Sequence, residues 1–187
     1  MPSPVGHVLA GLTVHVLSSR DRAERTNVGR AALLVAAATV PDLDLLFRFV
    51  DGRNHHQAET HSIGAAALAA AVVWAATRLL HRARPAALGA AAGWAWLSHV
   101  LLDYVGLDTH PPIGIMALWP FESGYHKSPW TIFLDIGRTL ERSTVLHNAL
   151  AAAWEAALLL PLLAWAWRSR KRNIEGGPWR EGSKAKP

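Results

Sequence analysis

The chain alternates between long apolar blocks and short polar connectors, with blocks at 5–17, 28–39, 63–80, 86–105 and 144–167. Each block reads as a helix with recognisable ends. Ser3 is placed to cap the first and Pro4 fits its first turn. The second stops at Val40-Pro41, because proline disfavours helical geometry in the residue before it. The third has no charged residue between Ile63 and Thr77, is capped by Thr60 or Ser62, and ends at Arg78, Arg82, Arg84 and Pro85. The fourth carries Trp94 and Trp96 and has His99 and Asp103 in its last turns, and the fifth is broken by Glu155 and Pro161. The pattern predicts an all-α, multi-helix membrane bundle of about four to five apolar helices. One integral membrane domain is expected over 1–167, followed by a basic, disordered tail over 168–187. The first block is short for a full span, and the N-terminus lacks the positive charges of a signal peptide, so it reads as retained structure.

The connectors change the picture more than the composition does. Residues 18–30 are basic, 45–60 are polar and histidine-bearing, and 106–143 are too long for an idle loop, with 131–140 expected to form a short amphipathic helix. If the blocks alternate across a bilayer, fourteen of the nineteen Lys and Arg residues fall on one side: four in 18–30, three in 78–85 and seven in the tail. Arg48, Arg53, Lys127, Arg138 and Arg142 remain on the other. That asymmetry makes the basic side cytoplasmic and predicts a multi-pass protein of a bacterial-type inner membrane with a cytoplasmic C-terminal tail. It also explains the net charge of +5 without nucleic acid, and none is expected as a partner. The basic tail is most simply an anchor on anionic lipid.

Candidate chemistry gathers on the opposite side, where His7, Asp42, Asp44, His55, His56, His61, His99, Asp103, His110, His126 and His147 all emerge. His99 and Asp103 are spaced to stack on one helix face, so a nitrogen and a carboxylate oxygen can meet one ion. Alone, that pair is equally well a satisfied buried histidine, and Asp42/Asp44 alone is a solvated turn. If the segment is extended, the two aspartates face one side. Together, several imidazoles and carboxylates make a site for a divalent ion, with Zn, Mn, Fe and Mg all open and imidazole favouring the transition metals. Cysteine is absent, so no thiolate site competes with this reading. Glu155 lies deep in the last block, and reads either as structural or as lining a cavity.

The ordered set Gly6-His7 with Gly11, Pro41-Asp42-x-Asp44, His56-x4-His61-Ser62, Ser98-His99-x3-Asp103 and Leu118-Trp119-Pro120-Phe121 resembles the YdjM/YbcI family, described as membrane-bound metal-dependent hydrolases. The resemblance implies a phospholipase-like or related phosphoesterase activity. Where that family usually carries an arginine after the first loop histidine, this chain has Gln57. A looser similarity, to zinc-dependent phospholipase C and P1-type nucleases, lies in the ligand order His7, Asp42, His61, His99, Asp103. Those enzymes continue with a His-x3-Glu pair, whereas here Ala151 follows His147 at that spacing.

The expected function is therefore a phosphoester hydrolase at the outer membrane face, acting on a phospholipid or another phosphoester. His7, Asp42, His61, His99 and Asp103 would hold one or two metal ions, Zn first among them. Asp44 and His56 are the expected catalytic residues, as further ligands or as general base. Two alternatives stand beside it: a non-catalytic membrane protein that binds or conducts a metal ion or proton through the cluster, and a soluble bundle whose apolar blocks are core.

Overall fold

A computed structural model describes residues 1–52 and 55–175, and among these the chain is all-helical, with two isolated β-bridges and no strand. Its helices are α1 (Pro4–Ser18), α2 (Arg22–Arg25), α3 (Val28–Thr39), α4 (Arg48–Asp51), α5 (Ile63–Leu79), α6 (Pro85–Tyr104) and α7 (Arg142–Glu175). Short 3-10 turns occupy Val40–Leu46 and Glu59–His61. The five long helices coincide with the five apolar blocks. Capping explains the agreement: Ser3 accepts from Val5 N, Asn27 from Arg30 N, and Ser62 from Ala65 N. Each cap satisfies an amide that has no partner inside its helix.

Three expectations need correction. Residues 40–46 are a 3-10 turn, not an extended segment, because the fixed φ of Pro41 suits the first turn of a helix as well as it suits extended chain. Residues 131–140 form no helix; Phe133 instead bridges Gly106, and its amide neighbour Ile132 N donates to Val105 O at 2.8 Å. The last helix passes through Pro161 and runs on to Glu175 instead of ending near Trp167. Residues 176–187 of the expected tail, and Arg53, lie outside the described residues.

α1 is the hub, packing against α3, α6 and α7, while α5 lies along α6. The buried contacts are small: Leu34, Ala37 and Ala38 of α3 meet Ala91, Ala92 and Ala95 of α6. Small residues let helix backbones approach closely, the usual basis of packing within a bilayer. At Gly11 an added Cβ would lie 2.9 Å from Val35 Cα, so α1 reaches α3 at that point only because the side chain is missing. A second group, Ala10, Leu102, Phe133 and Leu159, closes the bundle toward the end where the long connector folds back.

Polarity is arranged inside out. Leu68, Val72 and Trp74 of α5 and Leu150, Trp154, Leu162 and Trp165 of α7 are exposed, whereas His7, His61, His99, Asp103 and Glu155 are buried. A water-soluble bundle would reverse this. Two helices, α6 and α7, are long and apolar enough to cross a membrane, fewer than the four to five expected. The 15 residues of α1 and 17 of α5 rise only about 22 to 26 Å, short of the roughly 30 Å hydrocarbon layer.

Candidate metal centre

The site is built where α1, α6 and the turn after α3 meet. His7 lies one turn into α1, and the start of that helix is fixed from α7. The buried Glu155 carboxylate accepts from Ser3 N at 2.6 Å, Ser3 Oγ at 2.5 Å and Gly6 N at 2.9 Å. A Cβ at Gly6 would come within 2.8 Å of Glu155 Oε2, so glycine is what lets the carboxylate reach the helix end. Glu155 is thus structural: it tethers α7 to α1 and sets the height of His7. His99 and Asp103 project from α6 one turn apart, with His99 Nε2 3.1 Å from Asp103 Oδ2.

The 3-10 turn sends its two aspartates to different tasks. Three residues per turn do not put positions two apart on one face. Asp42 turns toward His7, His61 and His99, at 3.9, 3.6 and 3.6 Å from their Nε2 atoms. Asp44 turns away from this group and gathers four donors. His56 Nδ1–H donates to its Oδ1 at 2.7 Å, Thr60 Oγ1 and Gln57 N donate to its Oδ2 at 2.8 and 3.2 Å, and His61 Nδ1 lies 3.1 Å from Oδ2. His61 therefore stands between the aspartates, with Nδ1 toward Asp44 and Nε2 toward Asp42 and Asp103.

Five side chains converge at the centre. His61 Nε2 and His99 Nε2 are 3.0 Å apart, Asp103 Oδ2 is 3.2 Å from His61 Nε2, and His7 Nε2 is 3.5 Å from Asp103 Oδ1. His7 stacks on His99 with ring centroids 3.8 Å apart. His99 Nδ1–H donates to Ala38 O at 2.9 Å, which turns Nε2 inward. An ion with ligand bonds of about 2.0–2.1 Å spaces its ligand atoms about 2.9 Å apart in an octahedron and about 3.4 Å in a tetrahedron. The observed separations of 3.0–3.9 Å overlap that range and run a little beyond it. His7 Nε2, Asp42 Oδ1 and both Asp103 carboxylate oxygens are buried without a hydrogen-bond partner, in the arrangement a cation would satisfy. His7, Asp42, His99 and Asp103 form one group able to hold an ion, and Asp42, His56 and His61 form another that shares Asp42.

The electrostatics of the turns point the same way. Burial opposes the charged form of His61, but the carboxylates of Asp103, Asp42 and Asp44 outweigh it and raise its pKa well above 6.5. Burial also opposes ionisation of Asp42 and Asp44. Hydrogen bonds and proximity from His61, His99 and His7 nonetheless hold Asp42 below the usual carboxylate range, and His56 and His61 do so for Asp44. In the metal-free chain a proton on His61 occupies the place where the carboxylates call for positive charge.

All the residues singled out as ligands or catalytic groups come together: His7, Asp42, His61, His99 and Asp103 at the centre, Asp44 and His56 directly behind. Other histidines of the same side do not join them. His126 pairs with Glu122 at 3.3 Å and His147 with Asp135 at 3.1 Å. The sequence reading gave no role to Met1, whose Sδ lies 2.8 Å from His56 Nε2, or to the Ala38 carbonyl. No residue-type signal marks a backbone oxygen, whereas Glu155 was visible as the single acid in the last apolar block.

Fold and site together define an all-helical bundle with an apolar exterior, enclosing a His/Asp cluster that can hold a metal ion. The chain belongs to the YdjM inner membrane protein family, whose model matches residues 1–174. No curated protein and no solved structure matches it. The likeness to phospholipase C and P1 nucleases rests on ligand order alone.

Proposed function

We propose that this chain is a membrane-bound, metal-dependent hydrolase of phosphoesters, with its site at the outer face of the inner membrane and its C-terminal tail in the cytoplasm. The observation that carries the reading is the convergence of His7, Asp42, His61, His99 and Asp103 on one point, with buried nitrogen and oxygen atoms left unpartnered. These five would hold a divalent ion, Zn by preference of the imidazoles, and the sharing of Asp42 between two groups leaves room for a second. Such an ion supplies Lewis acidity at a phosphoryl group and promotes attack by water.

The chain's own residues do the rest. Asp44 positions two imidazoles at once, fixing His61 through Nδ1 and His56 through Nδ1. With that Nδ1–H committed, His56 Nε2 is the atom that would take a proton from the attacking water, once the Met1 side chain that lies against it moves aside. His99 is held by Ala38 O, so its ring does not rotate away from the centre.

The test is turnover. Detergent-purified protein is stripped with chelator, reloaded with Zn, Mn, Fe or Mg in turn, and assayed on a short-chain phospholipid and an aryl phosphate. Activity with at least one metal, lost in His56→Ala while the ion held by the five central residues is kept, is the expected result. Metal retention with no turnover under any of these ions would overturn hydrolysis and leave the cluster as a metal-binding or metal-conducting centre.

A further inference from the structure

Asp42 is the one member of the central cluster with access to solvent: its side chain is 23% exposed, while those of His7 and Asp103 are fully buried. Anything that reaches the cluster arrives along this carboxylate. A cavity of about 430 Å³ lies there, with Asp42 and His56 in its wall. Its remaining lining is mixed. Leu45, Leu46, Phe49 and Ile136 make much of it apolar, Arg48 and Arg138 bring positive charge from two distant parts of the chain, and Asp108 also stands in the wall, its carboxylate taken up by the amides of His110 and Gly114.

Both arginines are exposed, and neither is ion-paired with a carboxylate among the described residues; Arg48 lies over the Phe49 ring at 5.3 Å. Their location is unusual in this chain, whose sequence pattern assigns fourteen of its nineteen basic residues to the other side. Two of the five exceptions stand in the wall of the cavity that opens on Asp42. Guanidinium groups are permanently charged and present paired N–H donors that match phosphate oxygens. The apolar wall offers nothing to a small hydrated anion but does suit a chain attached to one. Leu43, Phe47 and Val50 of the same segment continue the theme beyond the cavity, all three exposed, as are Leu46 and Phe49 in its wall. Exposed aromatic and aliphatic side chains beside arginine suit the boundary between headgroups and acyl chains.

We infer that this cavity is the entry site for a lipid phosphate, with Arg48 and Arg138 clamping the phosphate beside Asp42 and with Leu45, Leu46, Phe49 and Ile136 receiving the start of its acyl chains. The inference rests on the cluster being a metal centre, and it names the substrate class as lipid-borne. The 43–50 segment lies in the interface as a lip over which the lipid moves sideways from the outer leaflet.

The test uses the full chain in phosphatidylcholine nanodiscs, with bound metal measured in every sample. Calorimetry compares dihexanoyl phosphatidic acid with glycerol 3-phosphate as probes. Wild type should bind the lipid at least about tenfold more tightly than the soluble phosphate, since several methylenes enter the apolar wall. Arg48→Gln and Arg138→Gln should each weaken both probes about tenfold, as loss of a charge-assisted hydrogen bond does, with metal content unchanged. Phe49→Ser should weaken the lipid alone. Wild-type affinity in either arginine variant, or equal affinity for the two probes, would overturn the inference. Absence of metal from wild type, by contrast, would overturn the metal-centre reading, whichever way the probes bind.

Discussion

Glu155→Gln isolates the link between α7 and the site with the least change of shape. The wild-type carboxylate is fully buried and takes three donors, Ser3 N, Ser3 Oγ and Gly6 N. Glutamine keeps one carbonyl oxygen, which continues to accept from Ser3 N. Its amide nitrogen replaces the oxygen that served both Ser3 Oγ and Gly6 N. The serine hydroxyl can reverse and accept; the Gly6 amide cannot. One buried N–H is left facing another, and the negative charge at the N-terminus of α1 is gone. Loss of one charge-assisted bond with its partner left buried costs about 1.5–3 kcal/mol. The damage is local, at the first turn of α1, which carries His7. Hydrogen exchange read by mass spectrometry should therefore rise in a peptide covering residues 3–9 while peptides from α5 and the centre of α6 keep their protection. Metal affinity should fall about tenfold as one ligand loses its support. Wild-type protection at residues 3–9 together with wild-type metal affinity would refute the reasoning that Glu155 sets the position of His7.

Further predictions concern the same centre. Asp44→Asn removes the acceptor that orients His61 and His56, and metal affinity measured by competition with a chelator should drop about 10- to 100-fold. Metal uptake should depend on pH through His61, whose pKa in the metal-free chain is raised well above 6.5. Protonated His61 stabilises the metal-free fold fully below pH 6.5, and this contribution is lost as pH rises through the higher folded value. The ion must displace that proton, so affinity should rise with pH, and calorimetry in buffers of different ionisation enthalpy should show proton release at pH 7. Gly11→Val should destabilise by about 1–3 kcal/mol, because its Cβ would meet Val35 Cα at 2.9 Å, and thermal unfolding in detergent reads this directly.

The sequence showed some of this well, for identifiable reasons. The starts of α1 and α5 were legible because the capping side chains of Ser3 and Ser62 sit beside apolar runs, while the Asn27 cap of α3 went unread inside a basic connector. The ligand set was legible because imidazoles and carboxylates are rare in apolar blocks and all fell on the side poor in Lys and Arg. The conformation of residues 40–46 was not, since proline's fixed φ serves extended and helical chain alike, and the difference decides that Asp42 and Asp44 do separate work. The course of residues 131–140 was hidden because Phe133 is drawn to Gly106 and Leu102 by contacts distant in sequence. The extension of α7 to Glu175 came from seven polar and charged residues with Ile174 among them, a stretch that continues a helix without showing an apolar face. The two cavity arginines had no spacing signal at all, since Arg48 and Arg138 are brought to one cavity only by the folded connector.

The central claim is that five side chains hold a metal ion, and bound metal is its direct measure. Protein purified in detergent without added chelator should carry at least one transition-metal equivalent by elemental analysis, with X-ray absorption showing mixed nitrogen and oxygen ligation at about 2.0–2.1 Å. His99→Ala and Asp42→Ala should each lose most of that metal while remaining folded by circular dichroism. Unchanged metal content in both variants, or wild-type protein that takes up no ion, would contradict the account.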